Sequence, residues 1–131
     1  MYGWPESDQD YALPMTLSVT PYVRNSENEL NWLPLPADFN DLAGVESSRL
    51  TFWGASKVKQ LGLTLLPELA HGDIYAEGIH LQQLERELEI LSAHLSELCK
   101  PDLQNYWRFR LANIIVAISI AKEHSGGVYI G

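Results

Sequence analysis

A run of leucines in the second half of the chain most constrains its fold. The leucines recur at spacings of three and four residues from Leu81 to Leu98, which places them on one stripe of an amphipathic helix. Pro101 ends this pattern, because proline lacks the backbone donor that a helix interior needs. A second helix is predicted from about Asp102, its cap, to His124, and it is apolar on nearly every side. We therefore predict two long neighbouring C-terminal helices, the second of them central.

The acidic residues between the leucines fall outside the stripe. The helix spacing therefore predicts that all of them face solvent. They are Glu85, Glu87, Glu89 and Glu97.

Short strands are predicted in the rest of the chain. Residues 13–24 alternate apolar and polar side chains, so that Met15, Leu17 and Val19 share one face. Pro14 and Pro21 bracket this segment, and proline favours an edge strand or a short one. Three further short strands are predicted from their composition and flanking glycines. They are 49–53, 74–75 and 128–130.

These elements predict an α+β fold in which a few short strands pack against two long C-terminal helices. The chain has 131 residues, which is the usual size of one domain and is enough to bury a core without metal or disulfide support. We expect residues 1–12 to form a flexible acidic arm, and residues 13–131 to form a single α+β domain.

The charge of the chain excludes several classes of partner. Seventeen acidic and nine basic residues give a formal net charge of -8, so binding to a nucleic-acid backbone is not expected. The longest apolar stretch, 109–121, is too short to span a membrane, which takes about 20 residues. The N-terminus lacks the features of an export signal, and one cysteine, Cys99, suits a reducing compartment. We expect a cytoplasmic protein.

No established catalytic motif occurs in the sequence. A phosphate loop, a dinucleotide fingerprint, a nucleophile elbow and a zinc-binding pattern are all missing. We therefore expect no catalytic residues, no metal site and no cofactor, and the chain is predicted not to be an enzyme.

One polar cluster leaves a metal-binding alternative open. His71, Asp73, Glu77 and His80 lie within ten residues of one another, and a metal needs several nitrogen and oxygen donors that converge. Glu77 and His80 also have the spacing of half of a di-iron carboxylate site. The alternative to a metal site is a polar turn that contains glycines.

The best candidate for a binding surface is the acidic segment in the first third of the chain. Residues 1–50 carry eight acidic and two basic residues, and a dense negative field accelerates association with a basic partner. Trp32 lies within this segment, and tryptophan ringed by charge is typical of interface hot spots. The predicted partner-binding residues are Trp32, Glu27, Glu29, Asp38 and Asp41.

Four stretches resemble small bacterial proteins. They are LTFWGASKVKQLGL at 50–63, LPEL at 66–69, GDIYAEG at 72–78 and AISIAKEHSGGVYIG at 117–131. Together they resemble the small acidic immunity proteins of bacterial toxin–immunity pairs. The resemblance implies a cytoplasmic, non-enzymatic protein that binds and blocks one cognate toxin. It assigns no functional residues, because immunity proteins differ in the surface they use.

The sequence is therefore compatible with three functions. The first is an immunity-type inhibitor of a basic toxin, for instance a nuclease, whose phosphate-binding groove an acidic surface could block. The second is a small metal-binding enzyme or sensor that uses His71, Asp73, Glu77 and His80. The third is a structural homodimer subunit that pairs through the leucine stripe 81–98. The chain is expected to be a monomer or a homodimer.

Overall fold

The computed structural model describes residues 16–131, and within them an antiparallel sheet of five strands. The strands are β1 (Thr16–Arg24), β2 (Leu30–Trp32), β3 (Leu42–Val45), β4 (Ile74–Glu77) and β5 (Gly127–Ile130). Along the sheet the order is β2-β1-β5-β4, and β3 also pairs with β1. Ser18 exchanges backbone hydrogen bonds with Gly131, whereas the N–H of Val19 donates to Asp41. Strand β5 therefore lies along one edge of β1, and β3 and β2 share the other.

Both long helices pack against one face of this sheet. The helices are α1 (Ser56–Gln60), α2 (Ile79–Ala93), α3 (Leu95–Leu98) and α4 (Pro101–Glu123). Helix α4 contacts β1, β3 and β5, and helix α2 contacts β4 and α4. The predicted α+β architecture is confirmed.

The core lies between α2, α4 and the inner face of the sheet. Strand residues with odd numbers in β1, such as Leu17 and Val19, point into it and are fully buried. The leucine stripe of α2 meets them there, and Leu84, Leu88 and Leu91 are fully buried too. The stripe is therefore used within the chain, and a homodimer that pairs through it would have to open the core.

The predicted strand at 49–53 is wrong, because this segment forms a wide helical turn, Arg49–Trp53. The N–H of Gly54 donates to the carbonyl of Arg49 over 2.8 Å, five residues back. The wide turn brings the consecutive Phe52 and Trp53 rings into the core together, where Phe52 stacks on Trp107 with ring centroids 3.7 Å apart. A strand would send consecutive side chains to opposite faces.

Pro21 does not end β1 or place it at an edge, as the sequence predicted, because it lies inside the central strand. It is paired with Val128 on β5. On the other edge of β1, Val19 donates to the segment leading into β3, and the carbonyl of Pro21 accepts from Leu33 after β2. The register of β1 and β2 places Pro21 opposite Leu33, and because proline has no N–H, this pair keeps one of the two backbone bonds that facing residues usually exchange.

Two predictions about the helices need correction. The leucine stripe is not one continuous helix, because α2 ends at Ala93 and Leu95–Leu98 forms a separate turn before α4. Helix α4 does contact three strands and α2, but it is not buried on nearly every side. It buries one face and leaves the other to solvent, where Ile115 is 43% exposed.

Glu87 was predicted to face solvent and is instead buried, with 5% of its surface exposed. Its carboxylate accepts hydrogen bonds of 2.9–3.1 Å from the backbone N–H groups of Thr64, Leu65 and Leu66. The donors of Thr64 and Leu65 precede a 3₁₀ turn, Leu66–Ala70, and the donor of Leu66 begins it. Although burial alone would raise the pKa of Glu87, these bonds together with one from Gln83 lower it below its usual value.

The predicted acidic arm, residues 1–12, lies outside the described residues, as does Met15. Between Thr16 and Gly131, none of the helices is both long and apolar enough to cross a membrane.

Candidate functional site

The face of the sheet opposite the helices carries an aromatic cluster, formed by Tyr22, Trp32, Tyr75 and Tyr129 and called the aromatic face below. The rings come from four strands, and the strand register brings them together. Tyr22 is paired with Trp32, and Tyr75 with Tyr129. Because strand side chains alternate between faces, these rings lie opposite the core residues that flank them.

The four rings hold one another in place. Tyr22 meets Trp32 edge to face at a centroid distance of 6.0 Å, and Trp32 meets Tyr129 at 5.6 Å. Tyr75 lies 5.0 Å from Tyr129 and 6.4 Å from Tyr22, which closes the circle. These distances are those of favourable aromatic pairs. The rings are therefore positioned before any partner arrives.

Two of the four rings are largely open to solvent. Trp32 is 54% exposed and Tyr75 is 52% exposed, whereas Tyr22 is fully buried beneath its neighbours. Large exposed aromatic side chains grouped on one surface are the usual mark of an interaction site. Because the buried Tyr22 ring limits the motion of the exposed rings, less conformational entropy is lost when a partner binds.

A glycine in the neighbouring strand makes room for Tyr22. A Cβ at position 127 would lie 2.7 Å from the end of the Tyr22 ring and from its hydroxyl oxygen. The ring therefore lies across Gly127, and its hydroxyl reaches Glu77 on β4, the strand beyond.

An ion pair borders the aromatic face at this end. Arg24 donates from Nε to both oxygens of Glu77 over 3.0–3.1 Å, and its Nη2 lies 2.9 Å from Oε2. The hydroxyl of Tyr22 donates to the same carboxylate over 2.5 Å. The arginine and the hydroxyl together lower the pKa of Glu77. Burial and this hydrogen bond raise the pKa of Tyr22 well above its usual value.

A similar group of an arginine, a carboxylate and a tyrosine hydroxyl borders the other end of the aromatic face. Arg49 donates from Nη2 to Asp73 over 2.7 Å, and the hydroxyl of Tyr129 donates to the second oxygen of Asp73 over 3.1 Å. Arg49 also bonds to Glu46 and to the carbonyls of Leu69 and Gly72. Burial, with the carboxylate beside it, raises the pKa of Tyr129. Both carboxylates are therefore already engaged by arginine.

Of the predicted binding residues, Trp32 lies in the aromatic face, and Glu27 and Glu29 lie in the turn that precedes its strand. The side chain of Asn25 organises this turn, because its Oδ1 accepts the backbone N–H groups of Glu27 and Glu29 over 2.8 and 2.9 Å. Its Nδ2 donates to the carboxylate of Glu29 over 3.0 Å. The structure thus places these two acids at the end of the hairpin that carries Trp32.

Asp38 and Asp41 lie elsewhere, on the connection between β2 and β3. Both are exposed. Asp41 borders an open hollow with Leu33 and Leu35, and its carbonyl accepts the Val19 N–H over 2.8 Å. Among the described residues, no hydrogen bond or ion pair joins Asp38 or Asp41 to the aromatic face.

The four residues of the metal-binding alternative, His71, Asp73, Glu77 and His80, do not converge. Asp73 and Glu77 are engaged by different arginines at the two ends of β4. His71 and His80 are both exposed. Throughout residues 16–131, no three His, Cys, Asp or Glu side chains are placed to hold a metal ion.

Comparisons with family models, with curated proteins and with solved structures found no match to this chain. The arguments for a function therefore come from the surface itself.

Sequence reasoning identified Trp32 but missed its three tyrosine neighbours. Tyr75 and Tyr129 each lie in a segment that was predicted to be a strand, at a position that alternates with apolar residues. That alternation could have placed both on the outer face. It could not have shown that they meet, because the sheet order that joins β4, β5 and β1 is not encoded in local spacing.

Proposed function

We propose that this chain is a non-enzymatic binding module that binds and blocks a basic protein partner, as immunity-type inhibitors do, and that it acts in the cytoplasm. The observation that carries the proposal is the aromatic face, in which exposed Trp32 and Tyr75 are held by packed neighbours. Such rigid aromatic anchors supply most of the binding energy in protein interfaces.

The charge of the chain supports a basic partner. The overall charge is -8, and residues 1–50 hold eight of the seventeen acidic residues. Glu27 and Glu29 lie in the turn of the hairpin that carries Trp32, and both are exposed. Acidic groups around an apolar centre steer a basic protein toward it and add specificity. A toxin that acts on nucleic acid needs a basic groove, which such a surface could cover.

The proposal is tested by capture of a partner, followed by inhibition. Native lysate from the source organism is passed over the immobilised chain and over two variants, Trp32→Ala and Ile115→Ala. Ile115 is a matched control, because it is similarly exposed but lies on α4, behind the opposite face of the sheet. The retained protein is then identified, purified and expressed in cells with and without this chain.

We expect one basic protein that the wild type and Ile115→Ala retain and that Trp32→Ala does not. Its toxicity should disappear when the wild-type chain is expressed with it. A partner that Trp32→Ala retains as well as the wild type would contradict the proposed surface. A partner whose activity is unchanged by the bound chain would contradict inhibition.

A further inference from the structure

The outer edge of β4 carries one inference about how the partner contacts the sheet, which rests on the proposed function. We propose that an extended segment of the basic partner pairs with this edge as an additional strand. One basic side chain of that segment enters a hollow that lies along β4. The added strand would lie directly beside Tyr75, at the border of the aromatic face.

The first argument is the direction in which the backbone groups of β4 point. Ser18 and Gly131 exchange both of their backbone hydrogen bonds across β1 and β5. Because these bonds alternate along an antiparallel ladder, odd-numbered residues of β5 bond to β1, and even-numbered ones bond to the even-numbered residues of β4. The backbone N–H and C=O groups of Tyr75 and Glu77 therefore point outward from the edge of the sheet.

These outward groups have no partner within the described part of the chain. None of the backbone hydrogen bonds that residues 16–131 form outside their helices and strands reaches Tyr75 or Glu77. Strand β4 also contains no proline, lysine or bulge, which are devices that block edge strands in other proteins. An open edge of this kind is the surface to which an extended segment adds by main-chain hydrogen bonds.

The second argument is a hollow of about 170 Å³ along the same strand, called the edge hollow below. Its lining comes from β4, the 3₁₀ turn and the start of α2, and consists of Leu65, Glu68, Asp73, Ile74, Tyr75 and His80. Facing residues of paired strands point to the same face, so a residue opposite Ile74 would point to the helix side of the sheet, as Ile74 does. A water molecule takes about 30 Å³, so the edge hollow has room for one lysine side chain.

The third argument is the charge around the edge hollow. Glu68 is exposed and forms no ion pair through its side chain among the described residues, whereas Asp73 is held by Arg49. A basic side chain in the edge hollow would therefore meet one carboxylate that the fold leaves without a cation. A second copy of this chain would bring the same acidic edge and a net charge of -8, so a basic partner is more complementary.

The experiment titrates two acetylated and amidated heptapeptides into the full chain. Thr-Thr-Val-Lys-Val-Thr-Thr forms a strand with its lysine on one face and its valines on the other, and Thr-Thr-Pro-Lys-Pro-Thr-Thr has the same charge but lacks two backbone donors. NMR measures the exchange of the Tyr75 and Glu77 amides with water. The amides of Leu30 and Trp32 are internal controls, because the register of β2 points them outward at the opposite edge of the sheet.

We expect the valine peptide to slow exchange at Tyr75 and Glu77 about tenfold when about nine-tenths of the chain is bound, because only the free chain exchanges. Exchange at Leu30 and Trp32 should not change, and the proline peptide should protect no amide. Glu68→Gln should weaken binding of the valine peptide about threefold at low salt, and added salt should reduce this difference.

Two variants separate the backbone donor of Tyr75 from its ring. Tyr75→Ala removes the ring and keeps the N–H, whereas Tyr75→Pro removes both, at an edge position where proline is tolerated because the N–H points outward. Tyr75→Pro should bind the valine peptide about fivefold more weakly than Tyr75→Ala does. Equal binding by the two folded variants would overturn the inference. So would unchanged amide exchange in the wild type, a result that does not depend on the folding of Tyr75→Pro.

The capture experiment separates this failure from a failure of the proposed function. If the captured basic partner requires Trp32 but is retained equally by Tyr75→Ala and Tyr75→Pro, the strand pairing is wrong and the aromatic face is right. If the valine peptide pairs with β4 but no basic partner is captured, the open edge is confirmed and the proposed function is wrong. Protection of the Tyr75 and Glu77 amides by a high concentration of the chain alone would assign the edge to a second copy and overturn the inference.

Discussion

At the scale of single residues, the structure depends on a few polar side chains whose partners are distant in sequence. Glu87 of α2 accepts three backbone N–H groups at the start of the 3₁₀ turn, and Arg24 holds Glu77 beside Tyr22. Each carboxylate is stabilised in its charged form by these donors, which lowers its pKa. The two sites differ in burial, so they make different predictions.

Replacement of Glu87 by Gln should lower the free energy of unfolding at neutral pH by about 1–3 kcal/mol, because buried backbone donors lose a charged acceptor. The folded-state pKa of Glu87 lies below its unfolded value of 4.5. Its contribution to stability is therefore complete above the unfolded pKa and is lost as the pH falls through the folded pKa. The free energy of unfolding, measured with denaturant across this acid pH range, should change less with pH for Glu87→Gln than for the wild type.

Glu89→Gln serves as the control for this experiment, because Glu89 lies on the same helix and is exposed. It should leave the stability at neutral pH within about 0.5 kcal/mol of the wild type. A Glu87→Gln variant as stable as Glu89→Gln would contradict the role assigned to the buried carboxylate.

Replacement of Arg24 by Gln should raise the pKa of Glu77 toward its usual value, because Arg24 is the main cause of its depression. The measurement is an NMR titration of the Glu77 side-chain carboxyl carbon. Lys59→Gln is the control, since Lys59 is an exposed residue of α1. An unchanged Glu77 titration in Arg24→Gln would show that the ion pair does not persist in solution.

At the scale of elements, the sheet register decides which side chains meet. Gly127 of β5 faces Tyr22 of β1 and Glu77 of β4. The absence of a side chain at this one position lets the Tyr22 ring lie flat across β5. The aromatic face therefore depends on a glycine that contributes no contact surface of its own.

Replacement of Gly127 by Ala should displace the Tyr22 ring and destabilise the fold by about 1–3 kcal/mol, because the new Cβ would lie 2.7 Å from the ring and from the Ala76 carbonyl. Gly72→Ala is a matched control, since nothing lies within 4 Å of a Cβ there. Thermal unfolding measures the stability, and the near-ultraviolet circular dichroism reports the ring. A Gly127→Ala variant with the stability and spectrum of Gly72→Ala would contradict this packing.

The sequence predicted the elements whose patterns are long and local. The leucine spacing located α2, and alternation located the buried face of β1, with Leu17 and Val19 pointing inward. It failed where tertiary contacts override local preference, as in the turn Arg49–Trp53, which Phe52 and Trp53 close against Trp107. Glu87 was misplaced for a similar reason, because its backbone donors lie more than 20 residues away.

At the scale of the whole molecule, the aromatic face lies on the side of the sheet that the long helices leave open. The helices α2 and α4 bury the inner face of the sheet, while Trp32 and Tyr75 stand on the outer face. The core residues that stabilise the fold are therefore different from the exposed residues of the proposed binding surface. Substitutions at Trp32 should change binding with little effect on folding.

The charge of the molecule makes a prediction about association kinetics. Reversal of charge at both Glu27 and Glu29, to Lys, should slow association with the basic partner and remove most of its dependence on salt. The same reversal at Glu89 and Glu97 of the helical region is the control, because it changes the net charge equally and lies away from the aromatic face. Stopped-flow association at low and high ionic strength measures both. Equal slowing by the two reversals would mean that only the net charge steers association.

The central claim, that the aromatic face binds the partner, is tested most directly by the dissociation constant of the purified partner for three forms of the chain. These are the wild type, Trp32→Ala and Ile115→Ala, measured by calorimetry after unfolding curves have shown all three to be folded. The account predicts that Trp32→Ala weakens binding by about 30-fold or more, as removal of a hot-spot tryptophan does, and that Ile115→Ala binds as the wild type does. Unchanged binding by Trp32→Ala, with loss of binding by Ile115→Ala, would place the interface on α4 and contradict the account.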